Sequence, residues 1–206
     1  MTAVSPDKAP LVVWFREDFR LADNAALTAA THGNAPILCV YVHEPSRETP
    51  TAADWWLGKV LSHFDARLKQ RGGGLHVFSG QARDVLPDLV RRSGARGVLW
   101  NRRYDPQGRQ TDTRLKQELR DQGVEAHSFA GNLMPEPWTV RTQGGQPFKV
   151  FTAFWRAACQ HESPGGPCPA PDALDFWKQD VSHWPGHRLA SALEDEMGRL
   201  AWTRGL

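Results

Sequence analysis

Long apolar runs are missing from this 206-residue chain, and none approaches the ~20 residues that a membrane-spanning helix needs. The opening MTAVSPDKAP has neither the basic start nor the apolar stretch of a secretory signal. Cysteine is scarce. Cys39, Cys159 and Cys168 are an odd, scattered set, so no disulfide framework is expected, and a reducing cytoplasmic setting fits. Strong charge of one sign is also lacking. Lys plus Arg is 25 and Asp plus Glu is 23, which gives a net charge of +2 and no basic stripe. Few phosphate contacts are available on such a surface, so direct DNA binding is expected to be weak or nil.

Motifs are missing too. A phosphate-cradling glycine loop belongs after the first strand and before a helix. That turn reads REDFRLAD and holds no glycine, while Gly72-Gly73-Gly74 lies between a helix and a strand, where it reads as a helix stop. This excludes the dinucleotide-fold dehydrogenases and the P-loop enzymes. There is no CxxC, and no HxxxH on one helix, because Pro185 stands between His183 and His187 and keeps them off a shared helical face, so no metal site is expected. A G-x-S-x-G nucleophile elbow is absent, and no catalytic residue is nominated.

What is present is alternation. Short β-rich runs (LVVWF from Leu11, PILCVYVHE from Pro36, LHVFS from Leu75, RGVLWN from Arg96, VEAHSF from Val124) are separated by helical stretches. Asp23 or Asn24 is placed to cap the first helix, Thr51 or Asp54 the second, and Gly94 and Gly123 to end the third and fourth. Apolar strands that alternate with helices predict an α/β fold: a five-stranded, doubly wound parallel sheet of Rossmann-like order 3-2-1-4-5. Residues 9–131 form this domain. Residues 132–206 read as an interdomain linker and an irregular, partly helical extension, with a turn over Thr142–Gln146, a helix over Phe151–His161, an unstructured Glu162–Pro171 and a last helix from Gly186 to about Trp202. This extension holds five of the nine tryptophans. So many aromatics with so little regular core pack against something: a partner, another copy, or the core itself.

In wound sheets ligands bind beyond the carboxyl ends of the strands, where strand order reverses. That crevice would be built from Arg16–Ala22, Tyr41–Pro45 and Asn101–Asp105. Arg16, Asp18 and Arg20, with Glu17 and Asp23, are expected to form an ion-pair lattice, which either shapes the turn or holds a planar polar ligand. Tyr41, His43, Glu44, Asn101, Arg102 and Tyr104 add ring surfaces, a carboxylate, and cationic or amide donors suited to a flat heterocycle with a polar edge.

Three ordered blocks carry a family resemblance. LVVWFREDFRLADNAAL (from Leu11), GVLWNRRYDP (from Gly97) and GNLMPEPWTVRTQGGQPFKVFTAFWRAA (from Gly131) resemble the first strand and turn, the fourth strand and loop, and the interdomain segment of the DNA photolyase and cryptochrome family. The resemblance covers nearly the whole chain and thins after Cys159. Phe19 stands where the family usually has Leu, and Pro135 stands in a usually apolar stretch.

The resemblance implies an N-terminal domain that binds an antenna chromophore: a folate, a flavin mononucleotide (FMN) or a deazaflavin. It also implies a helical C-terminal domain that binds FAD and DNA and uses light to split pyrimidine dimers. Leu206 falls where the linker would enter that domain. The chain alone is therefore expected not to repair DNA, and to need the helical FAD domain or a separate partner chain. A stand-alone chromophore-binding module, used as sensor or carrier, and an inactive remnant are the alternatives.

Overall fold

A computed structural model of the chain describes residues 9–44, 51–133, 135–161 and 166–197. Five strands, β1 (Leu11–Phe15), β2 (Ile37–His43), β3 (His76–Ser79), β4 (Gly97–Asn101) and β5 (Glu125–Phe129), alternate with α1 (Ala25–Thr31), α2 (Ala52–Lys69), α3 (Ala82–Ser93) and α4 (Pro106–Asp121). The strands pair in parallel in the order β5-β4-β1-β2-β3, the expected 3-2-1-4-5 read from the other edge.

Local chemistry explains the helix ends. Asn24 caps α1 by accepting from the Leu27 N–H. Thr51 and Asp54 make a reciprocal capping box on α2. Asp105 caps α4, with Pro106 at the position where a missing N–H costs nothing. Gly94 ends α3 at φ 65°, a left-handed turn that favours glycine.

Strand alternation sends side chains into two cores. Leu11, Val13, Phe15, Ile37 and Cys39 pack on one face with Leu61 and Phe64 of α2. Val12, Trp14, Leu38, Val40, Val98 and Trp100 pack on the other with Leu86 of α3 and Leu115 of α4. Cys39 is buried, and desolvation pushes its thiol up to about 12, so it is an apolar filler rather than a nucleophile. β5 departs from the two-sided apolar pattern. As an edge strand it exposes Glu125 and His127.

The extension differs from expectation. The helix Phe151–His161 (α5) forms as read, and the turn over 142–146 closes through Thr142 N–H to the Gln146 carbonyl at 2.9 Å. The last helix starts later than read, and its expected end lies outside the described residues. Gly186 turns at φ 73° and its carbonyl accepts from Ser79 N–H at 2.8 Å. A two-residue strand β6 (His187–Arg188) then pairs antiparallel with β3, and a separate α6 (Ala190–Met197) follows. Trp202 lies outside the described residues. The sheet edge captures the chain here because β3 would otherwise leave its ladder groups unpaired. Before β6, Phe176 bridges to Ile37, and the buried Phe176, Trp177, Val181 and Trp184 join the two cores. Part of the aromatic extension thus covers the domain itself. Among the described residues, no helix is long and apolar enough to cross a membrane.

Candidate chromophore crevice at the strand ends

The turn after β1 is a closed hydrogen-bond lattice. The Arg16 guanidinium donates to both Asp112 oxygens, at 2.8 and 3.2 Å, and to the Asn101 carbonyl at 2.5 Å. Buried Asp18 accepts from the Arg16 N–H at 2.9 Å and the Asn101 side-chain amide at 2.5 Å. That amide also donates to the Asn24 oxygen at 3.0 Å, while the Asn101 oxygen accepts from Ala26 N–H at 3.1 Å. Arg20 reaches the Asp23 and Gly131 carbonyls at 3.0 and 2.6 Å. Asp18, Arg20 and Asn101 are therefore committed to shaping the turn and joining α1, β4 and the start of the extension.

Beside this lattice lies a cavity of about 410 Å³, open at one side. Trp14, Arg16 and Glu17 at the end of β1, Tyr41, Val42 and Glu44 at the end of β2, Leu57 from α2, Ala82 from α3, Arg103 from the loop after β4, and Gln107, Gly108 and Thr111 from the start of α4 line it. Of the sequence-nominated residues, Arg16, Tyr41 and Glu44 meet here. His43 lies beside Tyr41, ring centroids 6.4 Å apart, without forming the wall. The Tyr41 ring packs edge-on to Phe19 at 5.4 Å, and burial with nearby carboxylates pushes its phenol well above the usual range. The side chain of Glu44 accepts from the Ala82 N–H at 2.5 Å.

Among the described residues, two buried donors beside the cavity, Trp14 Nε1 and Arg16 Nε, have no hydrogen-bond partner, which is uncommon in folded proteins. The Arg16 guanidinium lies 4.4 Å above the Trp14 ring.

Arg102 and Tyr104 point elsewhere. Both donate to Glu136 Oε1, each at 2.6 Å, and Trp138 lies 5.9 Å from the Tyr104 ring and 5.8 Å from the Arg102 guanidinium. This cluster ties the extension to the end of β4. Burial and then the Glu136 carboxylate push the Tyr104 phenol to about 12. Sequence reasoning missed Trp14, Leu57, Gln107, Thr111 and Asp112. The signal available was the spacing on α4, where Gln107 and Thr111 are one turn apart; Asp112 carries no local signal.

The comparisons with known proteins agree with this architecture. The sequence model of the DNA photolyase family matches residues 11–172. A deoxyribodipyrimidine photo-lyase of Agrobacterium fabrum is 44% identical over 182 residues, which cover 85% of this chain and 38% of that protein. Cryptochrome-1 of Arabidopsis thaliana is 36% identical over 149 residues, 70% of this chain and 22% of that one. Among solved structures, a bacterial class III photolyase from Agrobacterium tumefaciens superposes with a TM-score of 0.82 at 42% identity, covering 92% of this chain and 39% of its own. An archaeal photolyase from Sulfolobus tokodaii, described with two FAD molecules, shares the fold at a TM-score of 0.72 and 18% identity, covering 91% and 41%. The chain thus spans about two-fifths of the length of these photolyases. With the family match running from the first residue of β1 to residue 172, partway along the extension, the chain belongs to the DNA photolyase family.

Proposed function

We propose that this chain is the light-collecting N-terminal part of a photolyase or cryptochrome, and that the crevice at the ends of β1, β2 and α4 holds its antenna chromophore. The observation that carries the reading is the cavity of about 410 Å³ at the strand ends, lined by the rings of Trp14 and Tyr41 and by polar groups of Arg16, Gln107 and Thr111. Its volume falls in the range of small-molecule sites, and its place is the one where wound sheets bind ligands. Tyr41, Trp14 and Leu57 supply apolar surface, and Gln107 and Thr111 supply polar groups for a carbonyl or ring nitrogen. A folate, FMN or deazaflavin ring meets that description in shape. When bound, such a ring absorbs light and passes the excitation on. The chain's own part is to orient the ring and shield it from water.

Light-driven repair of pyrimidine dimers is the activity of the whole protein in this reading, and it requires the helical FAD domain, supplied in the same chain or by a partner. The α5 face supports such a partner: Phe151 and Trp155 stack with ring centroids 6.2 Å apart, yet are 72% and 58% exposed. Direct DNA contact by this part is weak at a net charge of +2. Sparse cysteine and the free Cys39, Cys159 and Cys168 suit the cytoplasm.

Chromophore uptake followed by absorption tests the reading. Thr111→Trp, which fills the crevice from α4, is expected to weaken uptake at least about tenfold, because the lost apolar contact is worth over ~1.4 kcal/mol. Equal uptake by a folded Thr111→Trp variant would place the ligand elsewhere.

A further inference from the structure

The helix starts around the crevice are all taken by the chain's own side chains. Asn24 and Asn101 accept from the first N–H groups of α1, Thr51 from α2, and Asp105 from Gly108 of α4 at 2.8 Å. α3 is the unusual one. Its own N-cap residue, Gln81, makes no side-chain cap, and Glu44, from the end of β2, accepts from Ala82 N–H instead. Glu44 and Ala82 both line the cavity. A carboxylate of the protein therefore sits on the helix N-terminus that faces the ligand space, the place where a phosphate is held in other wound sheets.

The cations offer no alternative seat. Arg16 is paired in two-pronged fashion with Asp112, and Arg103 lies 2.8 Å from Asp105 and 3.7 Å from Glu17. In the wall Glu17 and Glu44 balance Arg16 and Arg103, and both arginines are already paired, so a phosphate ester entering there meets no free cation among the described wall residues.

We propose that Glu44 is a specificity-determining residue that reserves the crevice for flat heterocycles without a phosphate ester, by occupying the α3 N-terminus itself. This rests on the reading of the crevice as a chromophore site.

The test compares riboflavin with FMN, which share one ring and differ by the phosphate, by fluorescence titration of the wild-type chain, Glu44→Ala and Glu44→Gln. Folate is titrated in parallel, and inorganic phosphate is tested by its effect on the melting temperature. The wild type is expected to bind riboflavin about tenfold more tightly than FMN, the size of one helix-terminus and charge-repulsion effect. The gap closes in Glu44→Ala and narrows in Glu44→Gln, which keeps the hydrogen bond and loses the charge. Phosphate raises the melting temperature of Glu44→Ala and leaves the wild type unmoved. This last comparison decides the matter even if the crevice takes folate and neither flavin. FMN binding by the wild type as tight as riboflavin, or a phosphate response that Glu44→Ala does not gain, would overturn the role of Glu44. Failure of riboflavin, FMN and folate alike to bind would overturn the chromophore reading itself.

Discussion

Asp112 is the residue on which the strand-end lattice turns. It takes two bonds from Arg16 and a third from Trp100 Nε1 at 2.9 Å, and it is buried. Removing it strands a guanidinium whose side chain is 9% exposed. Asp112→Ala is therefore expected to cost about 3–5 kcal/mol in urea unfolding, as for other broken buried pairs. Asn101→Ala removes the donor to Asp18 and Asn24 and the acceptor for Ala26 N–H, and is expected to cost about 1–3 kcal/mol per group left unsatisfied. Arg16, Asp18 and Asn24 stand out in the sequence because they cluster in one turn after β1 and bond within it, Asp18 to Arg16 N–H and Asn24 to Leu27 N–H. Asp112 does not, because its partner Arg16 is 96 residues away and nothing local on α4 announces it. Glu136 is hidden in the same way: Arg102 and Tyr104 look like ligand-facing groups until the extension folds back and supplies their acceptor.

Elements with local start and stop chemistry are readable from the chain. Asn24, Thr51 and Gly94 mark helix ends where they were expected, and the two-sided apolar runs of β1, β2 and β4 announce a covered parallel sheet. β6 carries no such mark. Two residues have no periodicity, and they are strand only because β3 offers an edge. The stretch leading to it is held by side-chain burial, so Trp177→Ala is expected to destabilise by about 3–5 kcal/mol and to speed proteolysis of the extension, as large aromatic truncations in cores do.

The β3–β6 pairing also carries a pH dependence. His76 and His187 face each other with ring centroids 5.9 Å apart, and Asp65 and Asp180 are the acidic groups near them. Desolvation, then His187, lowers His76 to about 4, and His187 is lowered too. Between about pH 6.5 and 4 the unfolded chain binds the proton more readily than the folded one, so stability falls as pH drops through that window. Melting curves are expected to show the fall in the wild type and a smaller one in His76→Gln. A wild-type melting temperature that does not change across this range would contradict it.

At the scale of the molecule, the aromatic extension divides. Phe176, Trp177 and Trp184 complete the cores, while Phe151, Trp155, Val150 and Trp138 remain outside. An apolar face of this kind favours association. The isolated chain is expected to self-associate at high concentration and to bind an apolar dye, and Phe151→Glu with Trp155→Glu is expected to abolish both without lowering the melting temperature. Sedimentation and dye fluorescence check this.

Light collection by this chain requires that the strand-end crevice hold a ligand. Equilibrium dialysis of the purified wild-type chain against folate, FMN, riboflavin and a deazaflavin measures this most directly. Saturation at one chromophore per chain by at least one of these rings, lost in Thr111→Trp, is the predicted result. No saturable uptake of any of the four by the folded protein would contradict it.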